Sequence, residues 1–392
     1  MIGRRFETTW PALALGLTFI LYPALAGCAA SRPLSAEEVR ETLQGSKIIT
    51  IQDYKYEKVN PLDHRGWSEV SAPVKDYDRN YPKRLKDYLG IEIVKVGPDE
   101  LASQMEKVDE QKAQKVADTW MADATAVEVV KKRDLLRNAK LYFAVKALLE
   151  KYDGDAVTMA TWHLAGCHNP EGAKTNAMFP MAILELSKEH IPACCEAMID
   201  CLVTQMVGTH LTGGAMGFAG DVLNDKAFEP TGDRPEDVIV VGHCGAPINP
   251  KGDDRIPYRI RNHVIHQGGG QKKWGKRFDE KDISVATTVQ WPTDEPATVV
   301  KFNVYRKKVS AFTGRVLDGK TLYKDFADHV CRNKIVVKLD HPERSYLLPS
   351  AKNEGTFRSW WGTWGCHQVV FYGDIKESVR QFAESVGFKV VE

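Results

Sequence analysis

A chain of 392 residues with 43% hydrophobic content can bury a large core, and at this length it divides into domains more readily than it grows a single one. Lys and Arg number 53 against 52 Asp and Glu, a formal net charge of +1. This excludes the basic field of a nucleic-acid-binding chain and any acidic tail. In chain order, Arg4 and Arg5 precede the apolar run PALALGLTFILYPALAG, which ends in LAGC at Cys28. The pattern reads as a bacterial lipoprotein signal over residues 1–28, with Cys28 the lipid anchor after cleavage. A buried apolar helix bracketed by Pro11 and Pro23, or an uncleaved membrane anchor, are the alternatives. Ser35 three residues before Glu38 predicts a capping box opening a helix over SAEEVRETL, with Gly45 as its stop. KIITIQDY predicts a strand. The polar, proline-punctuated stretch NPLDHRGWSEVSAPVKDYDRNYPKRL predicts a long irregular connection.

From Gly90 the chain alternates more regularly. IEIVKV predicts a strand, VDEQKAQKVADTWM a helix, AVEVV a strand, LLRNAKLYFAVKALLEKY a helix with Leu136, Leu141, Val145 and Leu148 at helical spacing, and AVTMAT a strand. Strand, helix and strand in succession imply right-handed crossovers and an α/β fold with a mainly parallel three-layer sheet. Ligands of such sheets gather beyond the carboxyl ends of the strands. CCEAMIDCLVTQMVGTHL predicts an apolar helix with Glu196 just before it or in its first turn. Asp221 follows the run MGFAG, and His243 follows VIVVG at a strand end. RIRNHVIHQGGGQKKWGKRF carries His263, His266, three glycines and a basic cluster. It reads as a mobile solvated loop, or as one that closes over an acidic ligand; it lacks the Lys-Ser/Thr placement of nucleotide-phosphate loops. ATTVQW, ATVVKFNVYR, KKVSAFTGRVL, KIVVKL and HQVVFYG predict a smaller β-rich carboxy-terminal domain whose last strand begins at His367. DIKESVRQFAESV predicts a closing amphipathic helix. The expected division is a signal at 1–28, an α/β domain at 29–160, a second α/β domain with the site carboxylates at 161–290, and the β-rich domain at 291–392.

Glu196, Asp221 and His367 stand at the edges of apolar runs far apart in the chain, a placement that suggests one site assembled from several strand ends. Two carboxylates and an imidazole suit a hard divalent metal that polarises a sugar carbonyl while a carboxylate moves a proton between neighbouring carbons. That chemistry is an aldose–ketose isomerisation. Each residue alone also fits a helix cap or a surface break. The chain has eight cysteines and no Cys-x-x-Cys pair. They read as free, mostly buried thiols, with a zinc cluster of Cys244, Cys366 and nearby histidines as the alternative. Trp360, Trp361 and Trp364 supply either a flat apolar face for a sugar or local core packing.

The stretches VDEQKAQKVADTWMADA, LLRNAKLYFAVKALLEKYDGDAVTMAT, the Glu196 segment, LTGGAMGFAGDV, VGHCGAP, VSAFTGRV and HQVVFYGDI, in that order, resemble the fucose/arabinose isomerase family. The similarity is strongest to its shorter fucose isomerase-like members and runs from about Leu89 to the end of the chain. It implies that Glu196 and Asp221 bind the catalytic metal and flank the substrate carbons and that His367 completes the ligand set. It also implies that His243 matches a histidine that ligates metal in the arabinose branch. The metal implied is Mn2+, with Mg2+ or Co2+ as alternatives, and the partner an open-chain monosaccharide, fucose- or arabinose-like, in a homo-oligomer. The chain departs from the family at Met198, where an Asp is frequent, which puts substrate orientation in question. Asp200, four residues after Glu196, is either a pocket or hydrogen-bonding residue or a charge directed to solvent or a counterion. Residues before about 85 are fewer than in full-length members. The family is cytoplasmic, whereas the first 28 residues point to export. A sugar-binding lipoprotein with a degenerate site, and a metal-dependent epimerase or lyase, are the other functional readings.

Overall fold

The computed structural model describes residues 32–52, 77–128, 130–161, 177–223, 228–263, 285–328, 331–348 and 364–391. The signal-like segment with Cys28 lies outside them. Short strands that are apolar on both faces are suited to a parallel sheet covered on both sides. Here β1 (Lys47–Ile51), β2 (Glu92–Val96), β3 (Ala156–Met159) and β4 (Ala193–Cys195) form a four-stranded parallel sheet in the order β2-β1-β3-β4.

Helices cover both of its faces. They are α1 (Ala36–Leu43), α2 (Tyr77–Leu89), α3 (Pro98–Glu106), α5 (Lys132–Tyr152), α6 (Pro180–Lys188) and α7 (Ile199–Thr212), while α4 (Glu110–Asp123) packs on α5 with its buried residues in the core of the barrel side. Both halves of the capping box on α1 form: the Glu38 N–H donates to Ser35 Oγ at 3.3 Å and the Ser35 N–H to Glu38 Oε2 at 2.8 Å. On one face Ile49, Ile51, Val157 and Met159 pack with Leu141, Val145 and Leu148 of α5 and Ile183 of α6. On the other, Ile48, Ala156 and Cys194 share a core with Val39, Leu85 and Leu202 from α1, α2 and α7.

Two local expectations change. Residues 77–89, expected within or next to an irregular connection, are the helix α2. Tyr81, Leu85 and Leu89 recur every four residues and are all buried, and that apolar stripe outweighs Pro82. AVEVV makes no strand among its described residues. Val127 forms a single bridge to Ile260 and is 42% exposed, while Glu128 pairs with Arg259 and Arg261.

Beyond α7 the architecture differs from the expected mainly parallel three-layer sheet. The strands there are β5 (Phe218–Leu223), β6 (Val238–His243), β7 (Tyr258–Asn262), β8 (Val285–Val289), β9 (Pro296–Asn303), β10 (Lys308–Leu317), β11 (Asn333–Leu339), β12 (His367–Tyr372) and β13 (Lys389–Val391). Six of them close an antiparallel barrel in the order β11-β6-β5-β12-β9-β10, sealed by pairing of β10 with β11. β13 adds to β10 in parallel, and β7 and β8 pair apart. Among the described residues, parallel pairing outside the small sheet is limited to that β10–β13 contact and the Val127–Ile260 bridge. The physical reason is that a barrel strand covered from outside is buried on both faces, as a parallel strand is. VIVVGH, buried at every position of β6, carries no local mark of the direction of its neighbours.

The helix α7 joins the two sheets and is buried almost throughout. Alternate barrel residues Ala219, Val300, Val369 and Phe371 lie in its core, whereas Phe218, Val299 and Val370 belong to another. The approach is close at Gly208, where a Cβ would lie 2.1 Å from Cζ of Phe371. The short α8 (Gly319–Leu322) and the amphipathic α9 (Lys376–Ser385) complete the described helices. Among the described residues no helix is long and apolar enough to cross a membrane.

Candidate metal centre

The small sheet presents the carboxyl end of β4 to the barrel, and Glu196 stands there. Its N–H continues the ladder, donating to Met159 O at 2.7 Å. The chain then takes two consecutive left-handed residues, Glu196 at φ 70° and Ala197 at φ 56°, before α7 begins. A left-handed residue with a side chain costs about 1–2 kcal/mol. Strain of this kind gathers at functional sites.

The barrel supplies the other donors. His367 opens β12 and stands opposite Asp221 of β5, which in turn stands opposite Gly242 of β6. Asp221 and His367 alternate in phase with Ala219, Val369 and Phe371, so they face the side that α7 covers. His243 is the last residue of β6, opposite Asn333 of β11. The Asn333 amide donates to Cys244 O and Thr287 O, both at 3.0 Å, which pins that strand end. No sequence pattern singles Asn333 out, because its role depends on pairing across the barrel.

Glu196 has an imidazole against each oxygen. His243 Nε2 lies 3.5 Å from Oε1 and His367 Nε2 lies 3.6 Å from Oε2. Donor atoms of Glu196, His243 and His367 all fall within 4.8 Å of one another, and the two ring centroids are 5.3 Å apart. These separations are long for charge-assisted hydrogen bonds. They come near the separation of about 3.4 Å between donors around a tetrahedral ion with bonds of about 2.1 Å; a six-coordinate ion would draw neighbouring donors in to about 3 Å. The donor set thus fits one metal ion.

Asp221 reaches the same imidazole from behind. Its Oδ1 is 3.5 Å from Nδ1 of His367, the nitrogen turned away from Glu196. It clusters with Cys366 and His367 and not with Glu196 and His243. A carboxylate on the far nitrogen of a ligating histidine is the usual way such a ring is oriented. Side-chain exposure separates the two carboxylates as well: 7% for Glu196 and 29% for Asp221.

Electrostatics tie the centre to neighbouring thiols. Burial works against a charged His243, but the adjacent Cys244 and Glu196 outweigh it and hold the ring well above the ordinary imidazole value. The Cys244 thiol is pushed well above its usual range by its hydrogen bond with Cys195 and by burial. Cys195 precedes Glu196, Cys244 follows His243, and Cys366 precedes His367 with Sγ 3.1 Å from Nδ1. No disulfide joins the described cysteines.

Asp200 is buried in the first turn of α7, where it accepts hydrogen bonds from Tyr81 Oη–H and, at 3.3 Å, from the Val304 N–H. It fastens α2 and the β9–β10 turn to α7. Trp364 is 5% exposed and stacks on Tyr346 with centroids 5.1 Å apart and planes 4° apart, so it serves packing. Trp364→Ala should lower stability by about 3–5 kcal/mol, read as a shift of the urea midpoint. Trp360, Trp361, His266 and the triple glycine lie outside the described residues. A scan against protein-family models gave no match for this chain, and a search of curated proteins gave none either.

Proposed function

We propose that this chain is a metal-dependent aldose–ketose isomerase acting on an open-chain monosaccharide, fucose- or arabinose-like. The observation that carries the reading is a buried carboxylate with an imidazole at each oxygen, beside a second, more exposed carboxylate on the reverse of one of those rings.

Glu196, His243 and Nε2 of His367 would hold the ion. Mn2+ is the ion proposed, from the resemblance and with Mg2+ or Co2+ as alternatives; two imidazoles and one carboxylate by themselves also accept Zn2+ or Fe2+. Such an ion supplies polarisation of a sugar carbonyl and stabilises the negative charge that develops on two adjacent sugar oxygens. Glu196 is committed on both oxygens, which leaves Asp221 as the carboxylate free to move. In this proposal Asp221 takes the proton from one sugar carbon and returns it to its neighbour, a transfer that general-base catalysis accelerates by about 100- to 10,000-fold. Its Oδ1 also steadies His367, so orientation and proton transfer meet in one side chain. Burial of the other three donors keeps competing water from their bonds.

The experiment is turnover by the full chain after metal removal, with fucose, arabinose and anionic sugars, and with aldose and ketose both quantified. Interconversion that appears on adding Mn2+ and disappears on chelation is expected. No interconversion across the panel with the ion confirmed bound would sink the isomerase reading. Release of the proton to a different carbon, or cleavage, would identify an epimerase or a lyase in its place.

A further inference from the structure

Beside the centre lies a group of donors that isomerisation leaves unused. Cys195 ends β4 and Cys244 follows β6, and both are buried. Their Sγ atoms are 3.8 Å apart, and Cys244 Sγ is 3.5 Å from Nδ1 of His243. All three donors fall within 4.8 Å of one another. A tetrahedral ion with metal–sulfur bonds of about 2.3 Å and metal–nitrogen bonds of about 2.05 Å sets its sulfurs about 3.8 Å apart and each sulfur about 3.6 Å from the nitrogen. We propose that Cys195, Cys244 and Nδ1 of His243 form a second site, for a thiophilic divalent ion such as Zn2+ or Cd2+, coupled to the hard-ion centre through His243.

Binding forms two metal–thiolate bonds and one metal–imidazole bond, and the two thiol protons pass to solvent. The fourth position is open to water. The coupling follows from the imidazole, which when neutral has one lone pair and one N–H. With an ion on Nδ1, Nε2 carries the proton and faces Glu196 as a hydrogen-bond donor, and the hard-ion centre loses a ligand. With an ion on Nε2, the Nδ1–H faces Cys244. Each ion therefore weakens the other, and by the same factor.

The test uses the reduced, metal-free full chain titrated with Co2+ in the absence of oxygen, and it needs no sugar, so it succeeds or fails independently of the isomerase reading. Expected is thiolate-to-cobalt charge-transfer absorption with the intensity of two thiolates and the strong visible bands of a tetrahedral ion, displaced by Cd2+. Cys195→Ser and Cys244→Ser should each weaken Cd2+ binding by roughly 100-fold or more, while Cys366→Ser leaves it unchanged. No thiolate band in the unmodified protein, a band that survives both of the first two variants, or one lost with Cys366→Ser overturns the site. If a serine variant fails to fold, the two-thiolate intensity of the unmodified protein decides. Mn2+ affinity, followed by electron paramagnetic resonance, should fall when Cd2+ is bound first; an unchanged affinity overturns the coupling.

Discussion

Glu196→Gln should abolish metal retention and turnover together. The amide keeps the volume of the carboxylate but loses its charge, and one of its two positions becomes an N–H donor. Both imidazoles then face a neutral group, where each now lies 3.5 or 3.6 Å from a carboxylate oxygen. Loss of the only anionic donor in this three-residue set should weaken Mn2+ binding by roughly 100-fold or more, since even outer-shell partners contribute 10- to 100-fold. Turnover at ordinary metal concentrations should fall by about 1,000-fold or more. Metal content after dialysis and ketose formation are the two measurements, with circular dichroism to establish that the chain is folded. Normal metal occupancy with isomerisation retained would remove Glu196 from the centre.

Asp221→Asn should separate the two losses. The three-donor set of Glu196, His243 and His367 remains whole, and what disappears is the anion behind His367. Metal affinity should drop by about 10- to 100-fold, the range for an orienting partner, and excess Mn2+ should restore occupancy. With the ion restored, kcat should still be about 100- to 10,000-fold low, because the proton carrier is gone. Recovery of kcat at saturating metal would limit Asp221 to orienting His367 and assign the proton to another group. A collapse of affinity as deep as that of Glu196→Gln would make Asp221 a direct ligand.

Much of the centre was legible as polar residues beside apolar runs. Glu196, His243 and His367 occupy strand ends because a side chain there leaves the ladder and meets the neighbouring layer. Asp221 is different, lying inside β5. Its polarity is accommodated because alternation turns it to the outer side of the barrel with His367. Which nitrogen of His367 faces which carboxylate had no trace in the order of residues. It depends on a ring wedged between Glu196, from the parallel sheet, and Asp221, from the barrel.

Local features were determined by the sequence itself. The capping box of Ser35 and Glu38, the helical spacing along 132–152 and the apolar strand 47–51 depend on neighbours within a few residues, and periodicity reports such contacts directly. The closed antiparallel barrel was decided only by the tertiary structure. β6 pairs with β11, setting His243 opposite Asn333, and a buried strand looks alike whether its partner runs with it or against it. The same holds for the thiols. Cys195 and Cys244 are 49 residues apart, and only the packing of β4 against the end of β6 brings their sulfur atoms together, because contact between chain segments is set by the fold's layers and not by local propensity.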